Sequence, residues 1–141
     1  MGAEMLAMNP RVVKFGTASW EGVTSISVDR GADKVVAEVS DLGPHVVFVD
    51  VPEQRVTARV TADLLTDDLG PPRPGDSGAL VFFTSPAGTD GGRKKVSMTA
   101  VVTAVRHPGG PRGLARVIDL IAVSSDGVAD PVTIADAGGE L

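Results

Sequence analysis

The residues best suited to chemistry in this 141-residue chain lie in Pro74-Gly75-Asp76-Ser77-Gly78-Ala79-Leu80. A serine framed by glycines serves as a nucleophile when a histidine takes its proton and a carboxylate orients that histidine. Only His45 precedes Ser77, with Asp63, Asp67 and Asp68 between them, and His107 follows. The same run is also a turn into an apolar strand, its Asp and Ser bonding their own backbone. His45 and His107 stand in different loops without carboxylates at ligand spacing, so they make no metal site. Asp67-Asp68 lacks the alternating spacing of a calcium loop and reads as a solvated turn. Gly109-Gly110-Pro111-Arg112-Gly113 carries prolines where a phosphate cradle needs amide donors. With no cysteine there is neither a disulfide framework nor a thiolate zinc site. The sequence calls for no cofactor and no metal.

The Gly75-Asp76-Ser77-Gly78 run resembles the nucleophile loop of chymotrypsin-like serine proteases, another all-β fold. That resemblance implies Ser77 as nucleophile, His45 as base and one of Asp63, Asp67 or Asp68 as its orienting carboxylate. Three departures count against it. The family places its histidine and serine on separate barrels, and some thirty residues cannot build one. His45 stands in Gly43-Pro44-His45-Val46, not in an Ala-Ala-His turn. The chain is also too short for a double barrel. The turn outweighs the nucleophile, and a β-fold serine hydrolase stays a second alternative.

Other elements must then carry the function. Hydrophobic residues at 43% against 22% charged suit one globular domain, but aromatics at 4% leave little for a deep ligand pocket. The net charge of −5 disfavours nucleic-acid binding, and the one basic cluster, Arg93-Lys94-Lys95, follows a Gly-rich turn. No apolar run is long enough to span a membrane as a helix. Residues 1–10 lack the basic n-region of a signal peptide, so the chain is expected to stay in the cytoplasm where it is made.

Of seventeen glycines and ten prolines, eight glycines and six prolines fall in clusters at 70–75, 86–92 and 108–113. The segments between them alternate with a period of two, as strands do. Over 55–63, Val56, Ala58, Val60 and Ala62 share one face, while Arg55, Thr57, Arg59, Thr61 and Asp63 share the other. Over 94–104, Val96, Met98, Ala100, Val102 and Ala104 oppose Lys95, Ser97, Thr99 and Thr103. Lys34 to Ser40 alternates too, with Val36 as the exception. Residues 46–49, 79–84 and 114–123 are apolar on both faces, as central or interface strands are. Only 62–69 has room for a helix. The expected fold is therefore all-β, a sandwich or barrel of antiparallel strands with long hairpins and at most one short helix. One domain spans 1–126, opening with an N-terminal segment 1–11. Residues 127–141, small and acidic, form an extended tail. Within 41–54 the run Val46, Val47, Phe48, Val49 and Val51 lies between Pro44 and Pro52, which oppose internal pairing. That stretch is expected to be an arm contacting a neighbouring subunit.

Several features in this order resemble phage tail-tube subunits. They are Trp20-Glu21-Gly22-Val23 and Ser27-Val28-Asp29-Arg30, then Gly43-Pro44-His45 with Asp50-Val51-Pro52. The strand 55–60 leading to a Pro-Gly-Asp loop, long strands 94–107 and 114–123, Ser125-Asp126-Gly127 and Asp130-Pro131 complete the set. The similarity covers residues 15–131. It implies a β-sandwich that forms stacked hexameric rings around a channel for DNA and the tape-measure protein. The implied partners are other copies of the chain, the tail sheath, and neck or baseplate proteins. DNA passes without specific binding, in a virion tail made in the host cytoplasm. Tail-terminator, distal-tail and baseplate-hub proteins share the fold and are the first alternatives. On this reading the polar strand faces, through Thr57, Arg59, Thr61, Ser97 and Thr99, line the lumen.

Overall fold

The structure, a computed structural model, describes residues 5–8, 11–63, 72–84, 94–110 and 113–136. Ten strands follow in chain order: β1 (Met5–Met8), β2 (Arg11–Phe15), β3 (Ala18–Trp20), β4 (Val23–Val39), β5 (Val46–Asp63), β6 (Ser77–Phe83), β7 (Lys94–Arg106), β8 (Gly109–Gly110), β9 (Gly113–Ala122) and β10 (Val132–Asp136). Every pairing is antiparallel. The main path across the sheet runs β1-β4-β5-β9-β7-β6-β2-β3, with β10 added to β7 and β8 to β9. The described residues contain no helix. The fold is all-β and sandwich-like, and the sheet does not close into a barrel.

Period-two patterning decides which face is covered. Val56, Ala58, Val60 and Ala62 of β5 are buried, as are Val96, Met98, Ala100 and Val102 of β7. They join Ile26 and Val28 of β4, Ile118 and Leu120 of β9, and Leu80 and Phe82 of β6 in one core cluster. With no helix to cover that face, the two halves of the sheet bury one another, as in a sandwich. No polar or charged side chain is buried among the described residues. The core is therefore apolar and free of desolvated charge. Phe15 stacks on Trp20 at 5.1 Å between ring centroids and extends the core toward the β3 edge.

The chain departs from the sequence expectations in two places. Residues 132–136, expected in a loose tail, form β10 along β7, and Val132 is buried in the core. Residues 127–131 are a braced turn, not an extended arm. Asp126 Oδ1 accepts from the Val128 and Ala129 amides at 2.8 Å each, and Gly127 takes φ +84°. The N-terminal segment also contributes to the sheet, as β1 on β4 and the start of β2. Of the possible helix 62–69, Ala62 and Asp63 end β5, and the remainder lies outside the described residues.

Candidate assembly surfaces

β4 and β5 pair along almost their whole length, from Val23↔Ala62 to Val39↔Val46. β1 covers the outer edge of β4 only at 25–28, and β9 covers β5 only at 57–63. Beyond those points the two strands continue as a free hairpin over about 32–54, roughly 25 Å long at 3.3 Å per residue. Pro52 sits inside β5 and does not stop it. Val35 alone faces Val51 and Pro52 between the Lys34↔Glu53 and Val36↔Asp50 pairs, a bulge where a missing amide donor is tolerated. An earlier bulge at Asp33 shifts the register the other way, so the two cancel and pairing resumes in phase. The expected arm 41–54 is thus one strand of a two-stranded arm that also recruits 32–40.

Residues directly paired share a face, as do alternate residues along a strand. Ala37↔Val49 and Val39↔Val46 therefore place Val35, Ala37, Val39, Val46, Val49 and Val51 along one apolar face. Val36, Glu38, Phe48 and Asp50 lie on the other. Val46, Val47, Phe48 and Val49 are 50%, 65%, 50% and 58% exposed, and Leu42 at the tip is 97% exposed. The arm holds five carboxylates (Asp33, Glu38, Asp41, Asp50, Glu53) against Lys34, so it carries four of the chain's five net negative charges.

The second surface is the outward face of β4, β5, β9 and β7. Thr57, Arg59 and Thr61 lie there, as their alternation with buried Val56, Ala58 and Val60 requires. Arg59 pairs in register with Asp119. Its Nε donates to Asp119 Oδ1 at 2.8 Å, and Arg106 Nη2 donates to Asp119 Oδ2. An extra residue on β7, Thr103, makes a bulge between Val102 and Ala104, and its hydroxyl donates to the Asp119 carbonyl at 3.2 Å. That bulge returns Arg106 to the outward face beside Asp119. Burial opposes the charge of Asp119, but the hydrogen bonds and charges of Arg59 and Arg106 outweigh it and hold the carboxyl below its ordinary value. Arg55 Nη2 reaches Asp33 Oδ1 at 2.5 Å on the same side. Ser97 and Thr99 do not join this group. They pair with Val81 and Ala79 of β6, nearer the β10 end of β7.

Thr103 belongs to the polar face expected over 94–104, but Asp119 and Arg106 were not among the residues expected on the lumen face. Residues 114–123 read as apolar on both faces, which hides Asp119. The available signal was that lone carboxylate in an apolar strand, which demands a cationic neighbour.

The structure does not bring the nucleophile set together. Ser77 shares a cross-strand row with Val101, Ile121 and Thr57. His45 lies twelve residues before Thr57, in the arm's turn, about 40 Å away along β5. Asp63 closes the opposite end of that strand, and Asp67 and Asp68 lie outside the described residues. The residues around Ser77 have local tasks instead. Gly75 takes φ +97°, and Asp76 Oδ2 accepts from the Arg73 amide at 2.9 Å. The Gly75 amide, an oxyanion donor in a nucleophile loop, donates to the Val102 carbonyl at 2.7 Å. A Cβ on Gly78 would stand 3.3 Å from the Gly16 backbone, so any larger residue there would press on the β2–β3 turn. His107 follows β7, far from both. Among the described residues no cluster of His, Asp and Glu is arranged to hold a metal ion.

No protein-family model matches the chain, and no curated protein matches it.

Proposed function

We propose that this chain is a self-assembling structural subunit of a phage tail, most specifically a tail-tube protein whose stacked rings enclose the DNA channel. The observation that carries the reading is the 32–54 hairpin. It exposes an apolar face that the described residues leave largely uncovered. Isolated two-stranded hairpins are marginal in water, and exposed apolar patches of this kind belong to interfaces. A second copy is the occupant that fits, because one copy's arm and another's sheet edges can pair by strand addition. The acidic charges along the arm discourage indiscriminate aggregation of the same apolar surface.

The outward face of β5, β9 and β7 suits a channel wall. Its arginines are paired with carboxylates and its remaining polar groups include threonine hydroxyls, so transiting phosphate meets little net charge. The same features serve a tail-terminator, distal-tail or hub protein, which differ in ring position and partners. Negative-stain microscopy of the purified chain tests the reading. Rings or tubes are expected; a chain that remains monomeric at every concentration would overturn it.

A further inference from the structure

Two guanidinium groups from different strands converge on the single carboxylate of Asp119, whose side chain is only 20% exposed. Arg59 and Asp119 border a recess of about 350 Å³ that is lined also by Ser27, Asp29, Arg55, Thr57 and Thr103. Paired arginines flanked by hydroxyls are the usual means of gripping a phosphate, whose oxygens match the fork of the guanidinium. Here that position is already filled from within. We propose that Asp119 is a built-in anion that occupies a latent phosphodiester site, and that its removal exposes Arg59 and Arg106 to nucleic-acid backbone.

A simple cross-strand brace is the competing explanation. Ion pairs whose guanidinium groups stand more than half exposed contribute little to stability, which makes bracing a weak reason for a three-strand arrangement. The surroundings point elsewhere. Arg55 on the same side is also matched, by Asp33, and Asp29 adds its charge near Arg59. The face thus sets Arg55, Arg59 and Arg106 against Asp33, Asp29 and Asp119, with Asp63 further along β5, where a nucleic-acid-binding face leaves its arginines open. The consequence for DNA transit rests on the proposed function; the lock itself rests only on this geometry.

The test uses full-length chain with Asp119→Ala and Asp119→Asn, and fluorescence anisotropy of a labelled DNA duplex of about 20 base pairs at low salt. Wild type is expected to leave the duplex free at concentrations where both variants bind it. Two released arginines imply a salt slope near −1.8, so a tenfold rise in salt should weaken binding about 60-fold. Asp119→Glu should restore the wild-type result, and Arg59→Ser with Arg106→Ser added to Asp119→Ala should abolish binding. Folded Asp119 variants that bind no better than wild type would overturn the lock. So would binding that survives loss of both arginines, or unfolding of both variants by circular dichroism, which would make Asp119 a brace. Sedimentation of the same samples judges assembly separately, so a chain that never forms rings fails the tail reading without deciding the lock.

Discussion

The two ends of the β4–β5 pair are one hairpin with two different environments. Over 23–31 and 55–63, alternate residues enter the core, and Ile26 and Val60 are completely buried. Over 32–54 the backbone pairing continues, yet the valines lie half exposed. Hydrogen-bonded register is therefore not what separates domain from arm; the presence of an opposing layer is. In the body, β9 extends the sheet and the β6–β7 half covers it. In the arm nothing among the described residues does either. A strand pair of this composition is stable in isolation only to the extent that something else covers it.

The largest contrast comes from placing a charge at matched positions in the two regions. Val60→Lys buries an unpaired ammonium in the core and should abolish folding, whereas Val49→Lys should leave a folded chain that no longer assembles. Circular dichroism and sedimentation read the two outcomes. Tolerance of lysine at 60 would break the comparison, because it would mean the assigned faces are inverted.

Truncating an aromatic ring in each region sharpens the same point. Phe82 is fully buried, and Phe82→Ala should cost about 3–5 kcal/mol in urea unfolding. Phe48 is half exposed, and Phe48→Ala should change monomer stability by no more than about 0.5 kcal/mol. Similar losses at both positions would show that the arm is packed on its own domain.

Acid should loosen the body through identifiable carboxylates. Asp130 is held below its ordinary pKa by the hydrogen bond from Arg30 and then by the Val132 amide. Asp126 is lowered by the Ala129 and Val128 amides, and Asp119 is lowered despite its burial. Each carboxyl binds its proton less readily when folded than when unfolded. The stability they provide is complete above the ordinary aspartate value of 3.8. It is lost as pH falls below about 4 and through their lower folded values. Unfolding midpoints measured between pH 6 and 2 should fall over that lower range. In Asp130→Asn the fall should be smaller, because Arg30 then loses its charged partner at every pH.

The smallest effect on assembly belongs to the serine. Ser77→Ala should leave assembly unchanged and alter stability by about 1 kcal/mol or less, because Asp76 and the two glycines hold the turn. A fluorophosphonate reagent that labelled Ser77 stoichiometrically would give the serine a chemical role that its distance from His45 does not explain.

Strand alternation over 55–63 and 94–102 was legible because every residue there except Val101 obeys one rule, apolar inward and polar outward. The apolar, exposed run at 46–49 was legible for the opposite reason, since it shows no alternation with polar residues. Three features were not. Pro52 reads as a strand end, yet paired bulges carry β5 through it, and bulges leave no compositional trace. β10 hides in a small, acidic terminus because only Val132 needs to reach the core. Asp119 was masked by its apolar neighbours, and the bulge at Thr103 that brings Arg106 to it depends on pairing between distant strands.

The most direct measurement compares full-length chain with a variant in which residues 34–53 are replaced by an Asn-Gly turn, which favours a tight hairpin. Sedimentation velocity and microscopy should show rings or tubes for the full chain. The shortened chain should sediment as a folded monomer at every concentration, with its core intact by circular dichroism. A shortened chain that still assembles would contradict the role given to the arm.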